Sequence, residues 1–211
     1  MNNFTGGVKQ KILFLAGMPA SGKTTISYKL EEMFGFKHIS AGECLREEME
    51  DSNSQYSSLI RSYIDRGDIV PGHITLSLMK KKINSFGWGK TVVTIDGFPR
   101  NLDNVQCWVK EMSDIVEVIN LICLVCSEDT IKDRLKLRTT EMGTLHYPKR
   151  SDDNLSVLAN RLKVFHDQTE PVVLCFTAAS KCLTINADVS REELWDKVDQ
   201  YVQSLGYKHV K

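Results

Sequence analysis

The sequence predicts an α/β protein, a five-stranded parallel sheet flanked by helices. Three observations carry that expectation. Short apolar runs alternate with helical patterns, as in βαβ units with right-handed crossovers. The first apolar run leads straight into a glycine-containing turn and then a helix. The 211 residues are 42% hydrophobic, enough for the core of one domain.

The first strand is expected at Lys11–Ala16. Gly17-Met18-Pro19-Ala20-Ser21-Gly22-Lys23-Thr24 follows and fits G-x-x-x-x-G-K-[ST], the phosphate-cradling P-loop. A helix over 25–34 then places Ile26, Leu30, Met33 and Phe34 on one face. Strand, turn and helix N-terminus together aim backbone N–H groups and the helix dipole at a phosphate. The expected fold is therefore that of the P-loop NTPases. Lys23 is expected at the terminal phosphates and Thr24 at Mg²⁺.

The second strand is expected at Lys37–Ser40, followed by helices over 42–50, 56–66 and 72–84. The third, Thr91–Asp96, leads to a helix over 102–111, and the fourth, Ile119–Cys126, to one over 128–138. A polar stretch, Thr139–Lys149, precedes a long helix over 153–178. The fifth strand, Cys182–Asn186, and a helix over 191–204 complete the chain. Regular alternation breaks at 41–82 and at Thr139–Lys149, and insertions of this kind often cover a substrate.

Asp96 closes the third strand beside the P-loop strand, a position suited to holding Mg²⁺ through water. Arginines gather at strand ends and around the polar stretch: Arg46, Arg100, Arg134, Arg138, Arg150 and Arg161. Planar guanidinium groups neutralise the charge that spreads over a transferring phosphoryl group. Arg134 and Arg138 lie four apart, on one helix face.

Charge is balanced, 27 basic against 27 acidic residues, so no global electrostatic attraction to nucleic acid or membrane is expected. No apolar run reaches the roughly 18 residues of a spanning helix. The short polar start lacks the apolar core of a signal peptide and the arginines of a transit peptide, so a cytosolic location is expected, with the nucleus left open. Cys123 and Cys126 have metal-ligand spacing but sit three apart on a predicted strand, on opposite faces. Free buried thiols are expected there.

The chain resembles the nucleoside monophosphate kinases, most closely the eukaryotic uridylate–cytidylate kinases. The resemblance runs from Lys11 to Leu205. Beyond the P-loop, its carriers are His38-Ile39-Ser40-Ala41-Gly42-Glu43-Cys44-Leu45-Arg46 and Gly67-Asp68-Ile69-Val70-Pro71. Asp96-Gly97-Phe98-Pro99-Arg100-Asn101-Leu102-Asp103-Asn104 and Arg150-Ser151-Asp152-Asp153-Asn154 complete them. The resemblance implies ATP bound by Gly17, Pro19, Ala20, Ser21, Gly22, Lys23, Thr24 and Thr25, with Arg134, Arg138 and Val189. It implies an acceptor nucleotide held by Ser40, Ala41, Arg46, Asp68, Ile69, Val70, Gly97, Phe98, Pro99, Arg100, Asn104, Arg150 and Arg161. Lys23, Arg100, Arg134, Arg138, Arg150 and Arg161 would be the catalytic charges, and Thr24 and Asp96 would serve Mg²⁺. The implied division is an acceptor-binding insert at 40–70, a lid at 138–150 and a core of 9–39, 71–137 and 151–207.

The implied reaction transfers the γ-phosphate of ATP to UMP or CMP, and to dCMP, by a monomer active in pyrimidine nucleotide synthesis. Adenylate kinase is the alternative, and a non-catalytic nucleotide-binding switch the reading from another class. Ser40-Ala41-Gly42 and Arg100-Asn101-Leu102-Asp103-Asn104 replace Ser-Thr-Gly and Arg-Thr-x-x-Gln of adenylate kinases, on the pyrimidine side. An amide offers both donor and acceptor, so one Asn suits both UMP and CMP. A guanine-reading N-K-x-D is absent. Three departures from the family stand out. Ala20 and Thr24 replace P-loop glycines, Gly72-His73 replaces an apolar or acidic residue and a Glu, and Thr139–Lys149 is a longer lid. That lid has no cysteine for a zinc site.

Overall fold

The computed structural model describes residues 7–140 and 154–210, with the side chains of all but 138–140. Arg150 and most of the expected lid lie outside the described residues.

Five parallel strands form one sheet: β1 (Gln10–Gly17), β2 (Lys37–Ser40), β3 (Val93–Asp96), β4 (Val116–Val125) and β5 (Cys182–Asn186). Their order is β2-β3-β1-β4-β5, so the strand that enters the P-loop is central. Ile12, Leu13, Phe14 and Leu15 of β1 are buried on both faces, as a covered parallel strand requires. Register sets Leu15 opposite Asp96, and Asp96 opposite Ser40. Gly17, Ser40 and Asp96 thus meet along one edge, at the carboxyl ends of the strands, where open α/β sheets bind ligands.

The helices are α1 (Lys23–Phe34), α2 (Ala41–Glu50), α3 (Ser57–Arg66), α4 (Gly72–Phe86), α5 (Leu102–Met112) and α6 (Glu128–Thr140). They continue with α7 (Leu155–Val164), α8 (Glu170–Ala178) and α9 (Arg191–Ser204). Side-chain caps start several of them. Ser40 accepts from Glu43 N–H at α2, Asn101 from Asn104 N–H at α5, Asn154 from Val157 N–H at α7 and Ser190 from Glu193 N–H at α9.

Three expectations need correction. The long helix over 153–178 is interrupted: a π-helical segment, Phe165–Thr169, separates α7 from α8. Pro171 has no N–H, and its ring clashes with the carbonyl four residues back, so the helix widens just before it. Strand β4 begins at Val116 rather than Ile119. Its register with β1 slips between Ile12 and Leu13, leaving Ile119 unmatched. That irregularity hides the start of the strand from a period-2 reading. Strand β3 is shorter than expected, starting at Val93.

Candidate active site

A cavity of about 430 Å³ opens along the carboxyl edge of the sheet. The P-loop forms its floor. Gly17 has φ +138, and a Cβ there would stand 2.2 Å from the Leu124 carbonyl oxygen, so only glycine lets the loop leave against β4. Ala20 has φ 57, a left-handed conformation costly for a residue with a Cβ. Pro19, Ala20, Ser21, Gly22, Lys23, Thr24 and Thr25 all line the cavity, with Gly17 at its base. Lys23 Nζ donates to the carbonyls of Gly17 (3.0 Å) and Met18 (2.7 Å), so its ammonium lies across the loop.

Thr24 Oγ1 donates to Asp96 Oδ2 at 2.8 Å. The structure thus brings both expected Mg²⁺ residues together at the cavity wall. No group of three or more His, Cys, Asp or Glu side chains suited to a metal occurs among the described residues. One carboxylate and one hydroxyl are hard oxygen donors that suit Mg²⁺, which keeps several waters and takes other ligands from phosphate.

His38 was missed by the sequence reading. Its Nε2 lies 3.9 Å from Asp96 Oδ2, and both side chains are almost wholly buried. Burial pushes its pKa below the ordinary 6.5, against the pull of Asp96, so the imidazole is neutral at physiological pH. Its place beside Asp96 follows from β2–β3 pairing, which no local motif announces.

The arginines converge from separate elements. Arg134 reaches across from α6, donating to Ser21 O at 3.2 Å and Ala187 O at 2.7 Å. It ties the P-loop to the turn after β5. Arg46, Arg100 and Arg161 line the same cavity. Each lies against a glycine. An added Cβ would stand 3.2 Å from Arg46 Nη2 at Gly42, 2.9 Å from Arg100 Nη2 at Gly97 and 3.1 Å from Arg161 Cγ at Gly67. Gly42 and Gly97 make room for guanidinium groups and Gly67 for the stem of Arg161, a pairing the sequence did not reveal. Arg138 lies one turn beyond Arg134 on α6, with its side chain outside the described set, and Arg150 is not described.

A smaller recess of about 50 Å³ continues past Arg46, Arg100 and Arg161. Ala41, Asp68, Ile69, Val70 and Asn104 line it, and Ser40, Gly97 and Pro99 line the main cavity beside it. Asp68 accepts from Arg66 Nε at 2.8 Å and from Asn160 Nδ2 at 3.0 Å. These bonds, the Arg66 one foremost, hold its carboxyl below the usual carboxylate range.

Asn104 is 2% exposed. Its Oδ1 accepts from the Arg100 N–H at 3.1 Å, while its Nδ2 has no partner among the described residues. The Nδ2 donor is thus left unused, and the Arg100 N–H takes part of the accepting capacity of Oδ1. Two expected site residues stand elsewhere. Phe98 is fully buried and packs on Phe14 and Trp108; its aromatic side chain is driven into the core while Gly97 and Pro99 reach the cavity. Val189 is half-buried against the core and does not line the cavity.

The floor of backbone N–H groups, the cationic walls and the continuous recess suit two phosphate-bearing ligands meeting end to end. A family model described as adenylate kinase matches residues 15–181. The chain is 35% identical to a UMP-CMP kinase of Homo sapiens over 94% of its own length and 100% of the relative's. It is 34% identical to a UMP-CMP kinase of Gallus gallus with the same two coverages. A UMP-CMP kinase of Xenopus laevis is 34% identical, over 90% of this chain and 97% of the relative's. The chain belongs to the adenylate kinase family, as a nucleoside monophosphate kinase: a phosphotransferase whose acceptor is itself a phosphate.

Proposed function

We propose that the chain transfers the γ-phosphoryl group of ATP to UMP and CMP, and to dCMP, with Mg²⁺ held at Thr24 and Asp96. The observation that carries the acceptor reading is Asn104, a lining residue of the recess whose Oδ1 is engaged by the Arg100 N–H and whose Nδ2 has no partner among the described residues. Uracil and cytosine both present a ring carbonyl as acceptor, so one donor serves both. The UMP-CMP kinase relatives support the same reading.

In the proposed reaction an acceptor phosphate oxygen attacks the γ-phosphorus in line, the bond from that phosphorus to the β,γ-bridging oxygen breaks, and ADP leaves. The acceptor is already an anion, so no general base is needed, and catalysis is positioning plus charge neutralisation. Arg46, Arg100 and Arg161, joined by Arg150, grip the acceptor phosphate. Lys23 serves the terminal phosphates of the donor, and Arg134 and Arg138 clamp the transferring group from the lid side. When bound, Mg²⁺ screens charge on the donor phosphates. Closure of 40–70 and of the lid 138–150 excludes water that would hydrolyse ATP. We read the protein as a monomer of the cytosol. The free thiols of Cys44, Cys107, Cys123, Cys126, Cys175 and Cys182 suit a reducing compartment. No described helix is long and apolar enough to cross a membrane.

The test is product analysis with γ-labelled ATP. Label is expected in UDP and CDP. Label appearing mainly in inorganic phosphate, or passing only to AMP, would contradict the proposal.

A further inference from the structure

Gly72 departs from the family's pattern, and nothing in the phosphate chemistry accounts for it. It opens α4 directly after Ile69, Val70 and Pro71, between two walls of the base recess. Its N–H, one of those that a helix start leaves unpaired, donates to Asp103 Oδ2 at 2.6 Å. Asp103 sits in the first turn of α5, next to Asn104. The bond therefore joins the backbone wall at Val70 to the turn that carries the base-facing amide.

The approach needs a glycine. A Cβ at residue 72 would stand 2.9 Å from Asp103 Oδ2, 3.1 Å from Cys107 Sγ and 3.2 Å from the Asn104 Cα. The first two neighbours are side chains and could give way. The third is backbone, so a side chain at 72 forces α4 and α5 apart at the recess. Asn104 itself has no slack, because its Oδ1 is held by the Arg100 N–H and its own N–H by Asn101 Oδ1 at 3.0 Å.

We propose that Asp103 is a positioning residue of the acceptor-base pocket: through the Gly72 N–H it holds the Val70 wall against the Asn104 turn and keeps the pocket narrow. This rests on the pyrimidine reading, because a narrow pocket excludes the second ring of a purine. A capping bond that only stabilised α4 would affect stability alone. A positioning bond changes how tightly, and which, acceptor binds.

The experiment measures KM for CMP, AMP and ATP, and Tm, in the full chain and in Asp103→Ala, Asp103→Asn and Gly72→Ala. Asp103 is exposed, so its truncation opens no core cavity. We expect Asp103→Ala to raise KM for CMP about tenfold, the loss of one charge-assisted hydrogen bond. KM for ATP stays within about twofold, and the AMP-to-CMP ratio of kcat/KM rises about tenfold. Gly72→Ala moves the same quantities in the same direction, and Asp103→Asn, which keeps an accepting oxygen, rescues them. A fall in Tm with unchanged acceptor KM and ratio would overturn the proposal, as would equal rises in donor and acceptor KM. Wild-type preference for AMP would defeat the pyrimidine reading and with it the claim that the pocket is kept narrow. The separate claim of positioning would then be decided by the acceptor-against-donor KM split measured with AMP.

Discussion

Ala20 occupies a left-handed position, φ 57, in a loop whose family pattern has glycine there. Ala20→Gly removes that penalty but adds freedom to the unfolded chain, for a net gain of about 0.5–1 kcal/mol. Calorimetry is expected to show a Tm rise of about 1–4 °C in a chain of this size. The strain at Ala20 was legible through the resemblance, which has glycine there; the P-loop motif itself leaves that position open. The polarity of Asn104 was not. It depends on the Arg100 N–H, whose direction is set by the Gly97–Asn101 turn. Asn104→Asp replaces the unpartnered Nδ2 donor with an acceptor in a buried setting. It should lower kcat/KM for UMP and CMP by about 100-fold or more, since a buried polar group without its partner is strongly rejected. A loss below about threefold would show that Nδ2 does not read the base.

At the scale of elements, the strands and most helices follow from hydrophobic periodicity and caps. The exceptions share a cause. A period-based reading assumes one regular geometry, and both the slip at Ile119 and the π-helical segment at Phe165–Thr169 break it. Pro171 was visible, yet only packing shows where the disruption is absorbed. Phe165 and Thr169 line the main cavity, and Thr169 Oγ1 donates to the Arg100 carbonyl at 2.8 Å. The widened turn thereby braces the segment that carries Arg100. Thr169→Val keeps the shape and leaves that carbonyl short of a donor. Urea unfolding should show a loss of about 1–3 kcal/mol. No loss would mean that the hydroxyl does not support this segment.

For the whole molecule, burial stores a pH dependence in the thiols. Burial pushes Cys44 from 9.0 up to about 11 and Cys123 up to about 12. Folded-state values above the unfolded ones mean that their contribution is complete below about pH 9. It is lost as pH rises through the folded values, because the unfolded chain releases protons first. Stability should fall by about 2 kcal/mol between pH 8 and pH 10, and a Cys44→Ala, Cys123→Ala double variant should lose much of that slope. An unchanged slope in urea unfolding would refute the assignment. The two-nucleotide site is also a whole-molecule property. The P-loop and the arginines could each be named in sequence. Their meeting, and the glycines that admit the arginines, come from strand order and helix packing. The central claim is that this site takes a pyrimidine nucleotide as acceptor. Steady-state kcat/KM for CMP and UMP against AMP, at saturating Mg·ATP, tests it most directly. Both pyrimidines are expected ahead of AMP by about tenfold or more. AMP ahead of both by a like margin would contradict it.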